Sequence, residues 1–287
     1  MQKGEILQNA SFKHSKAHIQ RIMESQIITL TTDWGYRDFF VGKVKGKLLT
    51  YIPGVQIIDI THGIDPYKLS SAIFVVKQAC MEYPQGTIHI IDVKSSQSKD
   101  NPFIVAKRNG QYYICTDNGL PYAIFGDSVE DIVVIDNIPQ ESSFYTFAAL
   151  DLFCKVAAMI AHGAQLSDLG FTPEKLCTIT PYNNTHNGNE LTTYIAYIDS
   201  YGNADLNITY EDFERERKNR PFEVWVHEMR IKNISHSYID VNESGNHRTA
   251  LLLTVSSTGM LQLALREGSA EQLLGIRERE SIQIKFL

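Results

Sequence analysis

The fold is decided near the start of the chain by Ile27-Ile28-Thr29-Leu30-Thr31-Thr32-Asp33-Trp34-Gly35, a β-branched run that passes directly into a turn. Residues 38–52 follow with apolar side chains at helical spacing, which predicts a helix. Residues 55–60 are again typical of a strand, and residues 66–83 are again typical of a helix. This alternation predicts an α/β domain over residues 26–170, with a largely parallel sheet between helices.

The remainder of this first half continues the same pattern. Further strands are predicted at residues 87–93, 103–107, 112–115 and 131–135, and a further helix at residues 147–162. Asn109-Gly110 separates two of these strands, and this pair favours the positive φ angles of a two-residue hairpin turn. We therefore expect one antiparallel hairpin inside the otherwise parallel sheet.

The pattern changes at residue 171. Residues 171–189 contain prolines and a polar, asparagine-rich run, which is typical of a linker. Beyond them the sequence contains short strand-like runs separated by frequent turns. Residues 190–287 are therefore predicted to form a small all-β domain, an antiparallel barrel.

Composition and charge exclude several classes of function. The net charge of −6 argues against nucleic acid as a partner, since phosphate binding needs a basic surface. Residues 1–25 are expected to be a flexible basic extension without the apolar core of a secretory signal, and no stretch has the length of a membrane span. The four cysteines are far apart and form no metal-binding pair, so we expect a cytoplasmic protein without a metal or a cofactor.

Ligands of open α/β sheets collect where strands end, so Asp33 is a candidate binding residue. Its carboxylate could accept two hydrogen bonds from a ribose diol, although it could equally cap a helix or close a turn. The first strand is followed by no glycine-rich phosphate loop, which argues against a nucleotide diphosphate.

Several segments, taken together and in order, resemble the SAM hydroxide adenosyltransferase family, which acts on S-adenosylmethionine (SAM) and has the SAM-dependent fluorinase and chlorinase as relatives. The segments that carry this resemblance are Ile28–Gly35, Val41–Gly46, Ile58-Asp59-Ile60-Thr61-His62, Thr116-Asp117-Asn118-Gly119-Leu120 beside the family's PDNGL, Tyr197–Asn203 beside its YID-x-FGN, and Gly268-Ser269-Ala270 beside its GSA. The resemblance spans residues 26–287. It implies an α/β domain followed by a β-barrel, a homotrimer, and SAM bound where the first domain of one subunit meets the barrel of a neighbour.

The resemblance also implies roles for individual residues. Asp33 would hold the ribose hydroxyls, while Asn203 and the backbone near Ala270 would bind the adenine edge. Asp199 and Ser257 would bind the amino and carboxylate groups of methionine, and Tyr201 would supply an aromatic wall. A plain β-turn would explain the composition of residues 199–203 equally well.

The motifs that handle water in the family depart from its pattern. Hydrolases of the family carry an Asp in DPGVGT-x-R, an Arg seven residues later, and a His in HGRD-x-F. Aligned without gaps, these positions fall on Lys94, Asn101 and Ala148. A slip of two residues would instead place Asp92 and Lys99 at the first two positions, and in neither alignment is the triad intact.

Two functions remain open on these observations. The first is hydrolysis of SAM to adenosine and L-methionine by in-line attack of water at the ribose C5′, with a changed water site in which Lys94 could take part or could be only an exposed loop residue. The second is a binding protein for SAM, adenosine or another nucleoside that has lost the chemistry. The tight hairpin at Asn109-Gly110 leaves no room for the extra loop of the halogenating relatives, which favours water over halide as the nucleophile.

Overall fold

The computed structural model describes residues 26–126, 128–136, 138–139, 146–180, 182–239 and 251–287. The expected extension, residues 1–25, lies outside the described residues. The chain divides into two compact units, Met1–Ile179 and Thr180–Leu287. None of the helices that the described residues form has the length and apolar character needed to span a membrane.

The first unit contains one seven-stranded sheet with helices on both faces, so the predicted α/β class is confirmed. Its strands are β1 (Ile27–Thr32), β2 (Gln56–Thr61), β3 (Ile88–Asp92), β4 (Phe103–Arg108), β5 (Gln111–Thr116), β6 (Asp131–Ile135) and β7 (Gly170–Phe171), in the order β2-β1-β3-β5-β4-β6-β7. The four strands β2, β1, β3 and β5 are parallel, and β4, β6 and β7 continue the sheet antiparallel.

The hairpin between β4 and β5 has the predicted turn. Asn109 and Gly110 have φ angles of 51° and 71°, and Arg108 pairs with Gln111 across the turn. β5 runs parallel to β3 on its other side, so the hairpin joins the parallel and antiparallel halves of the sheet.

Four helices cover the two faces of the sheet. They are α1 (Phe40–Tyr51), α2 (Leu69–Ala79), α3 (Leu120–Phe125) and α4 (Cys154–Ala161), the last preceded by a π-helical segment, Ala149–Phe153. Side chains of α1 and α4 pack with Leu30 and Ile90 on one face, whereas those of α2 and α3 pack with Ile91 on the other. Alternate residues of each central strand face opposite cores, which explains why nearly every residue of β1 and β3 is buried.

The second unit is an antiparallel sheet that nearly closes into a barrel, as predicted. Its strands are β8 (Thr185–Asn187), β9 (Glu190–Ile198), β10 (Ala204–Thr209), β11 (Phe222–Val226), β12 (Met229–Ile231), β13 (Leu251–Val255), β14 (Met260–Leu265) and β15 (Ser281–Phe286). The order is β12-β11-β15-β9-β10-β14-β13, with β8 paired to β9. A bridge between Ile234 and Leu253 brings the two ends of this order together.

Two short helices interrupt this domain, for which the sequence predicted only strands. They are α5 (Tyr210–Arg217) and α6 (Ala270–Leu274). The Thr209 and Ser269 side chains cap them by accepting hydrogen bonds from Asp212 N and Gln272 N. Residues 171–189, which were predicted to be a linker, contribute to both sheets near their two ends. At one end β7 pairs with β6, and at the other β8 pairs with β9.

Candidate functional site

The topology points to the carboxyl ends of β1 and β3. The chain leaves β1 toward α1 on one face of the sheet, and it reaches β3 from α2 on the other face, so a crevice is expected between these two strand ends. Thr32 and Asp92 are paired residues in the parallel ladder at this edge, and Asp33 follows directly. The strand ends therefore bring together two carboxyl groups that lie 59 residues apart in the chain.

Asp33 joins three loops at this edge. Its Oδ2 accepts hydrogen bonds from the backbone N–H of Tyr67 at 3.0 Å and of Lys94 at 3.3 Å. Tyr67 and Lys94 have φ angles of 67° and 53°, in the left-handed region that residues other than glycine seldom adopt. Such backbone strain is concentrated at functional sites, where the surrounding structure maintains it.

The loop after β5 holds the same segment from the other side. Asn118 Nδ2 donates hydrogen bonds to the carbonyl oxygens of Val93 and Lys94, at 3.3 Å each. The backbone of Lys94 is thus held on its N–H by Asp33 and on its carbonyl by Asn118, while its side chain is exposed. Asn101, another position considered for the chemistry, uses its amide to donate to Asp117 O at 2.9 Å.

Asp92 is the buried carboxyl of the site, and the sequence offered it only through the slipped alignment, as the alternative to Lys94. Burial raises the pKa of Asp92 from 3.8 to about 7 and the negative charge of Asp33 acts in the same direction, while the Ser95 hydroxyl and the Ala149 N–H act against them. Ala149 begins the π-helical segment, a form that is frequent at functional sites. Ala148, just before it, brings only a methyl group that packs against the core.

A chain of polar contacts supports the turn after β1. Thr32 Oγ1 lies 2.6 Å from Nδ1 of the fully buried His62, and His62 O accepts a hydrogen bond from Gly35 N at 2.7 Å. His62 Nε2 lies 3.1 Å from Asp59 Oδ1, while Lys45 Nζ donates to Asp59 Oδ2 at 2.6 Å. These contacts fix the turn that carries Asp33.

The protonation states in this chain follow from burial and charge. Burial lowers the pKa of His62, and it outweighs the opposing effect of the Asp59 carboxylate. For Asp59, burial alone would raise the pKa, but hydrogen bonds from Lys45 and His62 outweigh it and the pKa falls. A neutral histidine therefore lies between a hydroxyl and an ionised carboxylate.

Aromatic rings border the same turn. Trp34 stacks on His62 with the ring centres 5.9 Å apart, and it meets Phe147 edge-on at 5.0 Å. Phe147 directly precedes Ala148, so the turn after β1 and the start of the last helix of this unit are in contact. A surface cavity of about 450 Å³, lined in part by Met159 and His162, lies instead at the far end of that helix and is not this site.

In the second unit, the loop between β9 and β10 brings two of the candidate residues into direct contact. Asp199 Oδ1 accepts from the N–H groups of Tyr201 and Asn203, both at 2.9 Å, and Asp199 Oδ2 accepts from Asn203 Nδ2 at 3.0 Å. This is the hydrogen-bonded turn that the composition of residues 199–203 suggested. It leaves the ring of Tyr201 78% exposed.

Ala270 lies beside the same loop. Gly202 has a φ of 78° and passes so close to Ser269 that an added Cβ would lie 2.0 Å from Ser269 Oγ. The carbonyl oxygen of Gly202 also accepts a hydrogen bond from Glu271 N at 2.9 Å. Ala270 is fully buried at this junction. Asp199, Asn203 and Ala270 therefore form one group, with Tyr201 at its surface, whereas Ser257 is an exposed residue of the turn between β13 and β14.

Asp205 is a second buried carboxyl that the sequence analysis missed. Burial raises the pKa of Asp205 to about 6, the charge of Asp199 adds to the shift, and contacts with Ser256 and Gln262 oppose it. An acidic residue next to the start of an apolar strand was the available signal, since Asp205 is the second residue of β10. Within the described residues, no group of His, Cys, Asp and Glu side chains is arranged to hold a metal ion.

Comparison with known proteins identifies the family. A model of the SAM hydroxide adenosyltransferase N-terminal domain matches residues 28–170, and a model of the corresponding C-terminal domain matches residues 193–283. The chain belongs to the SAM hydroxide adenosyltransferase family. Both of its compact units are therefore domains of this family.

Individual relatives agree with this assignment over nearly the whole chain. A protein of Methanocaldococcus jannaschii named (R)-S-adenosyl-L-methionine hydrolase is 26% identical over 269 residues, which are 91% of this chain and 96% of the relative. A Salinispora tropica protein of the same name is 26% identical over 264 residues, 90% of this chain and 97% of the relative. The crystal structure of an uncharacterized conserved protein from Thermotoga maritima, 26% identical, covers 91% of this chain and 100% of its own, with a TM-score of 0.80.

The family signatures coincide with the contacts described above. In this SAM hydroxide adenosyltransferase member, the segments with these contacts are Ile28–Gly35 with Asp33, Ile58–His62 with His62, Thr116–Leu120 with Asn118, and Tyr197–Asn203 with Asp199 and Asn203. The first three of these segments thus correspond to loops held by contacts within the first unit, and Tyr197–Asn203 corresponds to a loop held by contacts within the second.

Proposed function

We propose that this protein hydrolyses SAM to adenosine and L-methionine by in-line attack of water at the ribose C5′. The family and the names of the relatives from Methanocaldococcus jannaschii and Salinispora tropica support this proposal. One observation carries it: Asp33 and the buried Asp92 stand at the adjoining ends of β1 and β3. The first can bind a ribose diol while the second faces the reacting carbon.

The remaining binding roles follow the resemblance. We propose that Asn203 and the backbone near Ala270 bind the adenine edge, that Tyr201 stacks on the ligand, and that Asp199 and Ser257 bind the methionine amino and carboxylate groups. The exposed ring of Tyr201 suits stacking. Asp199 Oδ1 already accepts two hydrogen bonds within its loop, whereas Oδ2 accepts one and, with two lone-pair sites, retains the capacity to accept another.

We infer that Asp92, and not Lys94, occupies the Asp position of the DPGVG motif. β3 ends at Asp92, so its carboxyl lies at the strand end, where ligands of such sheets bind. The slipped alignment also places Lys94 where the motif has its first glycine. The φ of 53° at Lys94 is a conformation that glycine adopts without strain, which supports this alignment.

The chemistry needs a base and a positioned water. The Asp92 carboxylate accepts a proton from the water as its oxygen forms a bond to C5′, the C5′–S bond breaks, and its electron pair stays on the sulfur of methionine. The sulfonium leaves as a neutral thioether, so no acid is needed at sulfur. A carboxyl whose pKa is about 7 is a stronger base than an exposed aspartate and can lose its proton to solvent after each turnover.

The first experiment is incubation of the protein with the two sulfonium epimers of SAM separately, followed by chromatography of the products. We expect adenosine, formed faster from the (R) epimer if this chain shares the preference in its relatives' name. Asp33→Ala and Asp92→Asn should each lower kcat/KM by about 10²- to 10⁴-fold, the range typical for loss of a catalytic base or of essential positioning. Added chloride should produce no 5′-chloroadenosine.

The alternative function is a SAM or adenosine binding protein without turnover. It is favoured by Ala148, which brings no polar atom to the place of the family's histidine. A wild-type protein that leaves both epimers intact, yet binds SAM or adenosine in calorimetry with an affinity that Asp33→Ala abolishes, would establish this alternative and exclude the hydrolase.

The assembly and location are also proposals from the resemblance. We propose a homotrimer in which the first domain of one subunit and the β domain of a neighbour bind the same SAM molecule. We also propose a cytoplasmic location, supported by the absence of any disulfide among the four cysteines, which are all free thiols.

A further inference from the structure

Two buried hydroxyl groups near Asp92 have no hydrogen-bond partner. They are Ser95 Oγ, which is close enough to act on the Asp92 carboxyl but lacks the geometry of a hydrogen bond, and Thr116 Oγ1, whose residue is only 1% exposed. Buried polar groups are almost always paired, and leaving one unpaired carries the full penalty of removing it from water. Two such groups beside one carboxyl therefore need an explanation.

The sheet register places Thr116 next to Asp92. Ile90 of β3 pairs with Ile114 of the parallel strand β5, and Asp92 and Thr116 each follow two residues later. Side chains two residues apart in a strand face the same side, so both project from the face that carries Ile90 and Ile114. Ser95 reaches the same carboxyl from the loop after β3, where its hydroxyl acts on the Asp92 carboxylate.

A single water molecule satisfies this arrangement. Buried waters make about three hydrogen bonds, typically to polar groups that have no other partner. A water among these three side chains can donate one proton to Asp92 and one to the Thr116 oxygen, and it can accept a hydrogen bond from Ser95. Its second lone pair then remains free to attack a carbon atom.

We propose that Ser95 and Thr116, together with Asp92, hold the attacking water, and that these hydroxyls do so in place of the histidine and arginine of the family's triad. This inference rests on the proposed SAM hydrolysis. Three of the departures from the family motifs involve these positions: Ser95 stands at the Val of DPGVG in the slipped alignment, Thr116 at the Pro of PDNGL, and Ala148 at the His of HGRD. Two new hydroxyls accompany the loss of one imidazole.

The hydroxyls orient the water, and Asp92 remains the base that accepts its proton. The groups that act on Asp92 are Asp33 from the loop after β1, the Ala149 N–H from the start of the π-helical segment, and Ser95. Asp33 is the charged member of this set, and its negative charge favours proton uptake by Asp92. Ser95 and Thr116 are uncharged, so their removal should change the position of the water more than the basicity of Asp92.

The test compares Ser95→Ala, Thr116→Val and the double variant with the wild type, using kcat for SAM and the dissociation constant of adenosine. Each single variant should lower kcat by about 10-fold or more and the double variant by about 10²- to 10³-fold, because loss of a hydrogen-bonding group that positions reacting atoms lowers kcat by up to about 10²- to 10³-fold. The affinity for adenosine should stay within about two-fold, since neither hydroxyl is assigned to the nucleoside. Thr116→Ser, which restores the hydroxyl, should recover most of the activity.

Thr193→Val is the matched control, because Thr193 is likewise fully buried with an unpaired hydroxyl but belongs to the β domain. It should leave kcat unchanged. If the double variant kept the kcat of the wild type, the proposed water site would be overturned, whereas the proposed SAM hydrolysis would stand. Absence of turnover in the wild type would overturn the proposed function itself, and with it this inference. A parallel loss of adenosine affinity, not recovered in Thr116→Ser, would also overturn the water site, since it would show a purely structural role.

Discussion

Among single residues, Asp92 shows how a site can act against the stability of its own fold. Burial raises its pKa from 3.8 to about 7, so the folded protein binds this proton more tightly than the unfolded chain does. The contribution of Asp92 to stability is therefore full below pH 3.8, declines as the pH rises between these two values, and is lost above pH 7. Groups that lower the stability of the folded protein in this way are typical of active sites.

Asp92→Asn should therefore stabilise the protein while it lowers kcat/KM by about 10²- to 10⁴-fold, as expected for loss of the base. The asparagine does not titrate, so the free energy of unfolding of the variant relative to the wild type should increase by up to about 4 kcal/mol between pH 4 and pH 8. Urea unfolding at the two pH values measures this difference, with the exposed Asp100→Asn as the control. An equal difference at both pH values would show that Asp92 is not a buried, protonated carboxyl.

His89 produces the opposite pH dependence. It is fully buried in β3, its Nδ1 lies 2.7 Å from Thr29 Oγ1, and burial lowers its pKa from 6.5 to about 4. The pKa of His89 is lower in the folded protein than in the unfolded chain. Its contribution to stability is therefore full above pH 6.5 and is lost as the pH falls toward 4. His89→Gln should lose about 2 kcal/mol less free energy of unfolding than the wild type between pH 6.5 and pH 5. Parallel losses in the two proteins would mean that His89 is protonated in the folded state.

At the scale of elements, the loop between β9 and β10 depends on a glycine. Gly202 and Gly259 have nearly equal φ angles of 78° and 77°, but an added Cβ would meet Ser269 only at Gly202, since nothing lies within 4 Å at Gly259. Both alanine variants should lose about 1 kcal/mol from the positive φ. Gly202→Ala should lose at least 1 to 2 kcal/mol more by displacing Ser269, and it should weaken adenosine binding. Equal melting temperatures for the two variants would show that the loop and α6 adjust freely.

The loop after β3 separates the backbone role of Lys94 from any role of its side chain. The described contacts of Lys94 use its N–H and carbonyl, and its side chain is exposed. Lys94→Met should leave kcat within about two-fold, and Lys94→Gly should in addition match or exceed the wild-type melting temperature, because glycine adopts this φ without strain. A large loss of turnover in Lys94→Met would instead give the lysine a part in activating the water.

For the whole molecule, the proposed trimer and its binding site predict the mass in solution and the stabilisation of the protein by adenosine. Sedimentation should give three times the chain mass of 32.5 kDa. Adenosine at about 100 times its dissociation constant should stabilise the protein by about 2.7 kcal/mol, with a corresponding rise in melting temperature. A monomer that binds adenosine fully would contradict a site shared between subunits.

The sequence alone determined the fold class, because period-2 and period-3.6 apolar patterns are local properties of the chain. It located the hairpin at Asn109-Gly110, whose φ angles confirm it, and it directed attention to Asp33 at a strand end. It missed α5 although Thr209, Glu211 and Asp212 form a helix start, because this polar helix buries only Phe213 and so lacks a periodic apolar pattern.

Only the tertiary structure decided which groups meet at the site. Spacing alone left Asp92 and Lys94 as alternatives for the Asp position of the family motif. The sequence does not show whether the loop between this motif and its neighbours differs in length by two residues. The surroundings of Asp92 include the N–H of Ala149, 57 residues downstream, and they depend on the strand order that places β3 between β1 and β5. A pKa and an unpaired hydroxyl are properties of such surroundings, which arise from contacts between distant segments and have no local signature in the sequence.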